Sequence, residues 1–327
     1  MNLNLFSLIL PFLSSFLITL LAIPFSIKFA KKYKLVDDPK KRPHPAHIQQ
    51  RVVPRAGGLP IFIGVLISIL LFIPLAKSVL GIIIALILLL CVGLLDDALT
   101  NFSPFPRLFF QILAALIVIS GGIGISFITN PFGGILRLDS IIFPINFFGT
   151  HSILLIADLL SLFWIVWVMN MINWAKGIDG QMPGIIFVSS LTIGALALKS
   201  FFQGDNTQLD IASLSFITAG ASLAFLFFNW HPAKIFPGFS GSTILGFLVA
   251  TLCILSSAKL ATALLVMLIP SVDFIYTFLR RVLSGRSPFL GDSKHLHHLL
   301  LKRGWTHPQI ALFYIISCAI LGLVSTT

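Results

Sequence analysis

Ten stretches of about twenty apolar residues each, near 5–27, 57–76, 79–96, 108–126, 152–172, 181–199, 211–229, 238–257, 259–279 and 309–326, leave this chain few folds to choose from. A helix rises about 1.5 Å per residue, so each stretch is long enough to cross the roughly 30 Å hydrocarbon core of a bilayer. In that solvent a single segment must pair every backbone N–H and C=O within itself, and only a helix does so. The chain is 57% hydrophobic and 10% charged, with a mean hydropathy of +1.01, outside the range of soluble domains. These features predict an all-α, polytopic membrane protein of about ten transmembrane helices. It reads as a single domain over residues 1–327, without repeats or a soluble module.

Orientation follows from the basic residues. No Lys or Arg precedes the first apolar stretch, whereas Lys28, Lys31, Lys32 and Lys34 follow it. That polarity argues for a retained first helix with its N-terminus outside, not a cleaved signal peptide. The loops at 28–56, 97–107, 173–180, 230–237 and 280–308 then share one side and hold 18 of the 22 basic residues. The positive-inside bias makes that side cytoplasmic; the membrane itself is expected to be the inner (plasma) membrane. On the other side, 127–150 is rich in Gly, Pro, Phe and Ile and predicts a short hairpin or re-entrant piece. Cys91, Cys253 and Cys318 lie inside apolar runs with no metal spacing and read as small hydrophobes.

All eleven acids are Asp, and the formal charge is +11. In a soluble chain that balance would suggest nucleic acid; here it reports cytoplasmic loops and anionic substrates, so nucleic acid is not expected as a partner. Asp96 and Asp97 stand out because they are adjacent at the end of the apolar run 79–95. An acid in a membrane segment costs about 2.5–3.5 kcal/mol on insertion scales. A divalent cation, basic partners or a water-filled pocket must compensate the pair, and all three are usual near phosphate chemistry.

The other polar residues gather in the same loops. The first runs from Asp37 through Lys40, Lys41, Arg42, His44 and His47 to Pro54-Arg55-Ala56-Gly57-Gly58. Its prolines and glycines suit a shaped, phosphate-facing loop as well as a basic surface anchor. Arg107 opens the fourth helix on the same face, either as an anchor or as a ligand for a lipid phosphate. Asn170, Asn173, Lys176 and Asp179 fall within a short connector and exceed what a helix connection needs. The last loop carries Arg280, Arg281, Arg286 and then Asp292-Ser-Lys-His295-Leu-His297-His298. Zinc is one reading of the histidines, but Asp292 is the only evident non-histidine partner; binding of diphosphate oxygens is the other. The sequon at Asn101 lies on the cytoplasmic side and reads as chance.

With Pro54-Arg55-x-Gly57-Gly58, Gly93-x-x-Asp96-Asp97, Asn170-x-x-Asn173-x-x-x-Gly177-x-Asp179-Gly180 and His295-x-His297-His298 in order on one face, the chain resembles the polyprenyl-phosphate N-acetylhexosamine-1-phosphate transferases. The resemblance runs from about 35 to 305 and is closer to the GlcNAc-1-phosphate branch than to the MurNAc-pentapeptide branch. It implies ten or eleven helices around a cytoplasmic-face cleft, with UDP-sugar and undecaprenyl phosphate as substrates and UMP released. It implies Mg²⁺, with Mn²⁺ as an alternative, and allows a homodimer. By resemblance Asp96 and Asp97 are catalytic, Asp96 and Asn173 are metal candidates, Asp179 lies on the uracil side, and His295, His297 and His298 lie at the diphosphate. Arg55, Arg107, Asn170 and Lys176 complete the expected substrate contacts.

Two departures stand against this pattern. Members of the family commonly carry Gly-Asp-Ser-Gly-Ser where this chain has Gly238-Phe239-Ser240-Gly241-Ser242, and Asp-Gly where it has Lys176-Gly177. A phenyl ring cannot bind Mg²⁺ as a carboxylate does. The departures motivate a rival expectation, a non-catalytic relative that binds polyprenyl phosphate or nucleotide sugar. A secondary transporter fits less well, because the charges gather at one face and not at mid-membrane.

Overall fold

The computed structural model describes residues 5–40, 51–99, 102–129, 133–146, 150–256, 260–285 and 294–326. Lys41, Arg42, His44 and His47 of the first loop, Asn101, Arg286 and Asp292 lie outside the described residues. The chain is a bundle of helices. In order these are α1 (Leu5–Lys32), α2 (Gly58–Phe72), α3 (Lys77–Ala98), α4 (Pro104–Ser120), α5 (Leu155–Trp174), α6 (Gln181–Phe202), α7 (Gln208–Asn229), α8 (Gly238–Leu255), α9 (Leu260–Val266), α10 (Leu268–Leu283), α11 (Leu296–Lys302) and α12 (His307–Thr326). A 3₁₀ turn, Ala175–Gly177, follows α5.

Seven of these helices are long and apolar enough to cross a membrane, and there are eight if α9 and α10 count as one broken span. The expected spans at 57–76 and 108–126 correspond to α2 and α4, which are apolar but only 15 and 17 residues long. The expected straight span at 259–279 is instead broken, with α9 and α10 meeting at 87°. Pro270 sits in the first turn of α10, where its ring and missing N–H deny the chain a continuous i to i−4 ladder through Val266. The 127–150 region forms hairpins: β3 (Phe127–Thr129) pairs antiparallel with β4 (Ile135–Arg137), and β5 (Ile142–Asn146) with β6 (Thr150–Leu154). A third small ladder joins β1 (Val36–Asp37) to β2 (Val53–Pro54) across the first loop.

The centre of the bundle is α8. Its sequence is apolar or small on every face, and a helix without a polar stripe has no side to give to water. It is buried from Gly238 to Cys253, packed by α2, α3, α5, α6 and α7. The indole N–H of Trp164 on α5 donates to the Ala250 carbonyl at 3.1 Å and ties the two helices together. At the periphery α1 lies against α2 and α7 and turns Leu21 and Phe25 outward. Phe109, Phe202, Phe227 and Leu323 are likewise exposed, as side chains in contact with lipid are.

Small residues set the helix spacing. Gly220 on α7 faces the Phe12 backbone carbonyl of α1 so closely that a Cβ there would overlap it. Gly220→Val is expected to cost about 1–3 kcal/mol through overpacking, read as a lower thermal unfolding midpoint of the detergent-purified protein.

Candidate functional site

Asp96 and Asp97 end α3, where the helix dipole already presents negative partial charge, so neither carboxylate is stabilised by its own helix. Both are buried, Asp97 at 0% exposure and Asp96 at 2%. The start of α8 holds Asp97. The amide N–H of Phe239 donates to its Oδ1 at 2.7 Å, and the Ser240 amide and hydroxyl donate to its Oδ2 at 3.2 and 2.6 Å. An anion at a helix N-terminus is well placed, and here it comes from another helix. Gly238 has φ +67°, and a Cβ on it would run into the Asp97 carboxylate, so the turn into α8 requires glycine. Gly93, one turn before the acids, leaves room for the Ser240 backbone in the same way.

Two arginines complete the cage. The Arg55 guanidinium lies 3.2 Å from Asp97 Oδ1 and 3.8 Å from Asp96 Oδ2, and on its outer side 3.8 Å from Asp37. The loop that carries it is sewn down on both sides: Arg55 N donates to the Leu35 carbonyl, Phe236 N to that of Pro54, and Gly57 N to that of Phe236. Arg107 comes from the first turn of α4, begun by the Ser103 cap and Pro104, and its Nε donates to Asp96 Oδ1. The Arg107 side chain is 35% exposed, the most accessible of the four.

Lys176 enters from the 3₁₀ turn. Its ammonium donates to Asn173 Oδ1 at 2.6 Å, to the Gly238 carbonyl at 3.1 Å and to Ser242 Oγ at 3.5 Å, within electrostatic reach of both acids. The Phe239 ring lies 5.3 Å from the Arg107 guanidinium and 5.9 Å from the ammonium, so both cations contact one aromatic ring.

The segment 173–180 connects this cage to two further groups. Trp174 packs edge-on against His295 and under the Arg281 guanidinium at 4.6 Å. Gly177 lies against the His297 ring, with no space for a Cβ between them. Asp179 accepts from His231 Nδ1 at 2.8 Å and from Ala233 N at 3.1 Å, and Gly180 N donates to the Asn229 side chain at 3.0 Å. The sequence-predicted residues therefore divide into groups. Asp96, Asp97, Arg55, Arg107, Asn173 and Lys176 form one cluster, His295, His297 and His298 a second, and Asp179 a third. Asn170 is not in the cage; its amide donates to Gln111 and to the Val166 carbonyl.

Several participants escaped the sequence reading. Among the described residues, Asp273 on α10 is a carboxylate partner of His295, with Oδ2 3.1 Å from His295 Nδ1 and Oδ1 accepting the Leu296 amide. A lone acid within an apolar helix was its signal. Ser240 and Ser242, small polar residues just after Pro237-Gly238, were legible as the start of a helix. His231 offered no signal beyond its place before a proline.

A divalent metal needs oxygen donors not already committed, and an excess of negative charge. Asp97 is filled by backbone, hydroxyl and guanidinium donors, and Asn173 Oδ1 accepts from Lys176 and from Ser242 Oγ at 2.8 Å. Phe239 supplies no oxygen. Arg55, Arg107 and Lys176 face Asp37, Asp96 and Asp97, so the cluster has no surplus of negative charge. This donor set does not fit a built Mg²⁺ or Mn²⁺ site at Asp96 and Asn173. Among the described residues, ligand atoms converge within 4.8 Å at Asp179, His231 and His307 instead, where the carboxylate already serves as an acceptor.

Burial, and the neighbouring His298, His295 and His307, hold the His297 imidazole well below its ordinary 6.5, so it is neutral at neutral pH. Unfolded, the group takes up a proton near 6.5; folded, it resists until well below. Its contribution to stability is complete above that value and is lost as pH falls beneath it. Thermal unfolding in detergent is expected to move to lower temperature between about pH 7.5 and 5.5, with a shallower dependence in His297→Gln.

A polytopic helical chain with a buried acid pair, a cationic cage and a histidine cluster at one face has the features of a membrane enzyme acting on phosphates. Comparison with known proteins agrees. Glycosyl transferase family 4 matches residues 79–257. The chain is 28% identical over 333 residues to a probable undecaprenyl-phosphate N-acetylglucosaminyl 1-phosphate transferase of Bacillus subtilis, covering 98% of this chain and 86% of that one. It is 31% identical over 353 residues to the decaprenyl-phosphate N-acetylglucosaminephosphotransferase of Mycolicibacterium smegmatis, with 96% and 80% covered. With the undecaprenyl-phosphate alpha-N-acetylglucosaminyl 1-phosphate transferase of Escherichia coli K12 it shares 27% over 334 residues, with 98% and 84% covered. The chain belongs to glycosyl transferase family 4.

Proposed function

We propose that this enzyme transfers GlcNAc-1-phosphate, or a related HexNAc-1-phosphate, from a UDP-sugar to undecaprenyl or another polyprenyl phosphate, releasing UMP and starting a lipid-linked glycan. The observation that carries the proposal is the acid pair buried under three cations at the end of an apolar helix, with the arginine nearest the surface partly exposed. The substrates named for its relatives match that arrangement. The distribution of basic residues supports a site on the cytoplasmic face of the inner membrane, with α2, α4 and the broken α9–α10 pair bringing the crossings to ten.

In this reading the chemistry asks the protein mainly for charge and position. Arg107, the more accessible of the two arginines, receives the lipid phosphate, whose apolar tail stays among the exposed side chains of the bundle. Asp96, held by Arg107 and by a longer contact to Arg55, takes a proton from the lipid phosphate when that group arrives monoprotonated. Asp97 has no free oxygen for that role; it fixes Arg55 and the start of α8. The neutral imidazole of His297, between His295 and His298, offers a hydrogen bond to the diphosphate without adding charge. Asp179, positioned by His231 and the Ala233 amide, faces the nucleotide base. A homodimer is compatible with this cluster.

Asp97→Asn is expected to lower turnover by about 10²–10⁴-fold while membrane insertion is unchanged, measured as labelled lipid from radiolabelled UDP-GlcNAc and undecaprenyl phosphate. Normal turnover in that variant would sink the assignment. Phe239 and Lys176 favour one other reading, a non-catalytic binder, and nucleotide-sugar binding without UMP release would support it.

A further inference from the structure

We infer, resting on the transferase reading above, that the Lys176 ammonium is the resident cation of this site, and that transfer runs without a divalent metal. The ammonium sits where a cation is wanted, at the start of α8 and within electrostatic reach of the carboxylate pair. Its three N–H groups meet three oxygens, Asn173 Oδ1, the Gly238 carbonyl and Ser242 Oγ, at 2.6, 3.1 and 3.5 Å. The last contact is the longest and is the one an incoming phosphate oxygen displaces.

Phe239 makes the arrangement coherent. Its ring lies beside the cage without contributing charge or an oxygen, and both Arg107 and Lys176 contact it. A carboxylate in its place would compete for both cations. Ser242 Oγ also donates to Asn173 Oδ1, so the amide oxygen is filled twice over. A dication would have to displace the ammonium from Asn173 and enter a cluster whose positive and negative charges already balance.

The reaction needs no more than this set supplies. An oxygen of the ionised lipid phosphate forms a bond to the sugar-bearing phosphorus, and the bridging oxygen leaves with its electron pair as the phosphate of UMP. A phosphate monoester is consumed and another is formed, so total charge is conserved and no proton need be released. Arg55, Arg107 and Lys176 provide the fixed positive charge for the phosphoryl oxygens in flight.

The test uses the full-length protein purified in detergent with a chelator. Labelled UDP-GlcNAc and undecaprenyl phosphate are supplied with EDTA or with Mg²⁺, and Mn²⁺ binding is read separately by electron paramagnetic resonance. The expected result is turnover in EDTA within about two-fold of that in Mg²⁺, a loss of about 10²–10³-fold in Lys176→Met, and no stoichiometric Mn²⁺ on the native chain. The paired change Lys176→Asp with Phe239→Asp is expected to create a Mn²⁺ site, a readout independent of turnover. Turnover abolished by EDTA and restored by Mg²⁺ would overturn the inference while leaving the transferase reading intact. No product from any common UDP-sugar under either condition would overturn the transferase reading and with it metal-free transfer, and stoichiometric Mn²⁺ on the native chain would in addition overturn Lys176 as the resident cation.

Discussion

The structure depends on burying two adjacent carboxylates at the wrong end of a helix. The C-terminus of α3 offers them only carbonyl oxygens and both are buried, so the donors come from elsewhere in the chain. The solution draws on parts far apart in sequence: the start of α8, the loop at Arg55, the first turn of α4 and the turn at Lys176. Satisfying one charge pair therefore fixes how four elements meet. Removing either partner of a buried pair exposes the other to the full desolvation penalty, which makes the cage cooperative.

The centrality of α8 follows from the same requirement. Its amide groups must reach Asp97, so Gly238 and Gly93 give up side chains where backbone and carboxylate meet. The remainder of α8 is small and apolar, which lets five neighbouring helices close around it. Packing in the bundle interior and the fixing of the acid pair are thus two ends of one helix. The connector 173–180 plays the corresponding part at the surface, where a single short stretch touches the acid cage, the histidine cluster and the Asp179 group.

Sequence alone determined the apolar, helical character of the chain, because hydropathy is a property of local composition. It also singled out the pair Asp96 and Asp97, since charges are too costly in apolar segments to be incidental. The structure decided what composition cannot encode: the short α2 and α4, the break at Met267 and Pro270, and which polar residues meet. Asp273 as the partner of His295, Asn170 turned to Gln111, and His231 on Asp179 are long-range pairings set by helix packing. Lys176 is the clearest case. The sequence showed a lysine where an acid was expected; only the tertiary structure aimed its ammonium at Asn173, Gly238 and Ser242, because those oxygens come together when α5 and α8 pack.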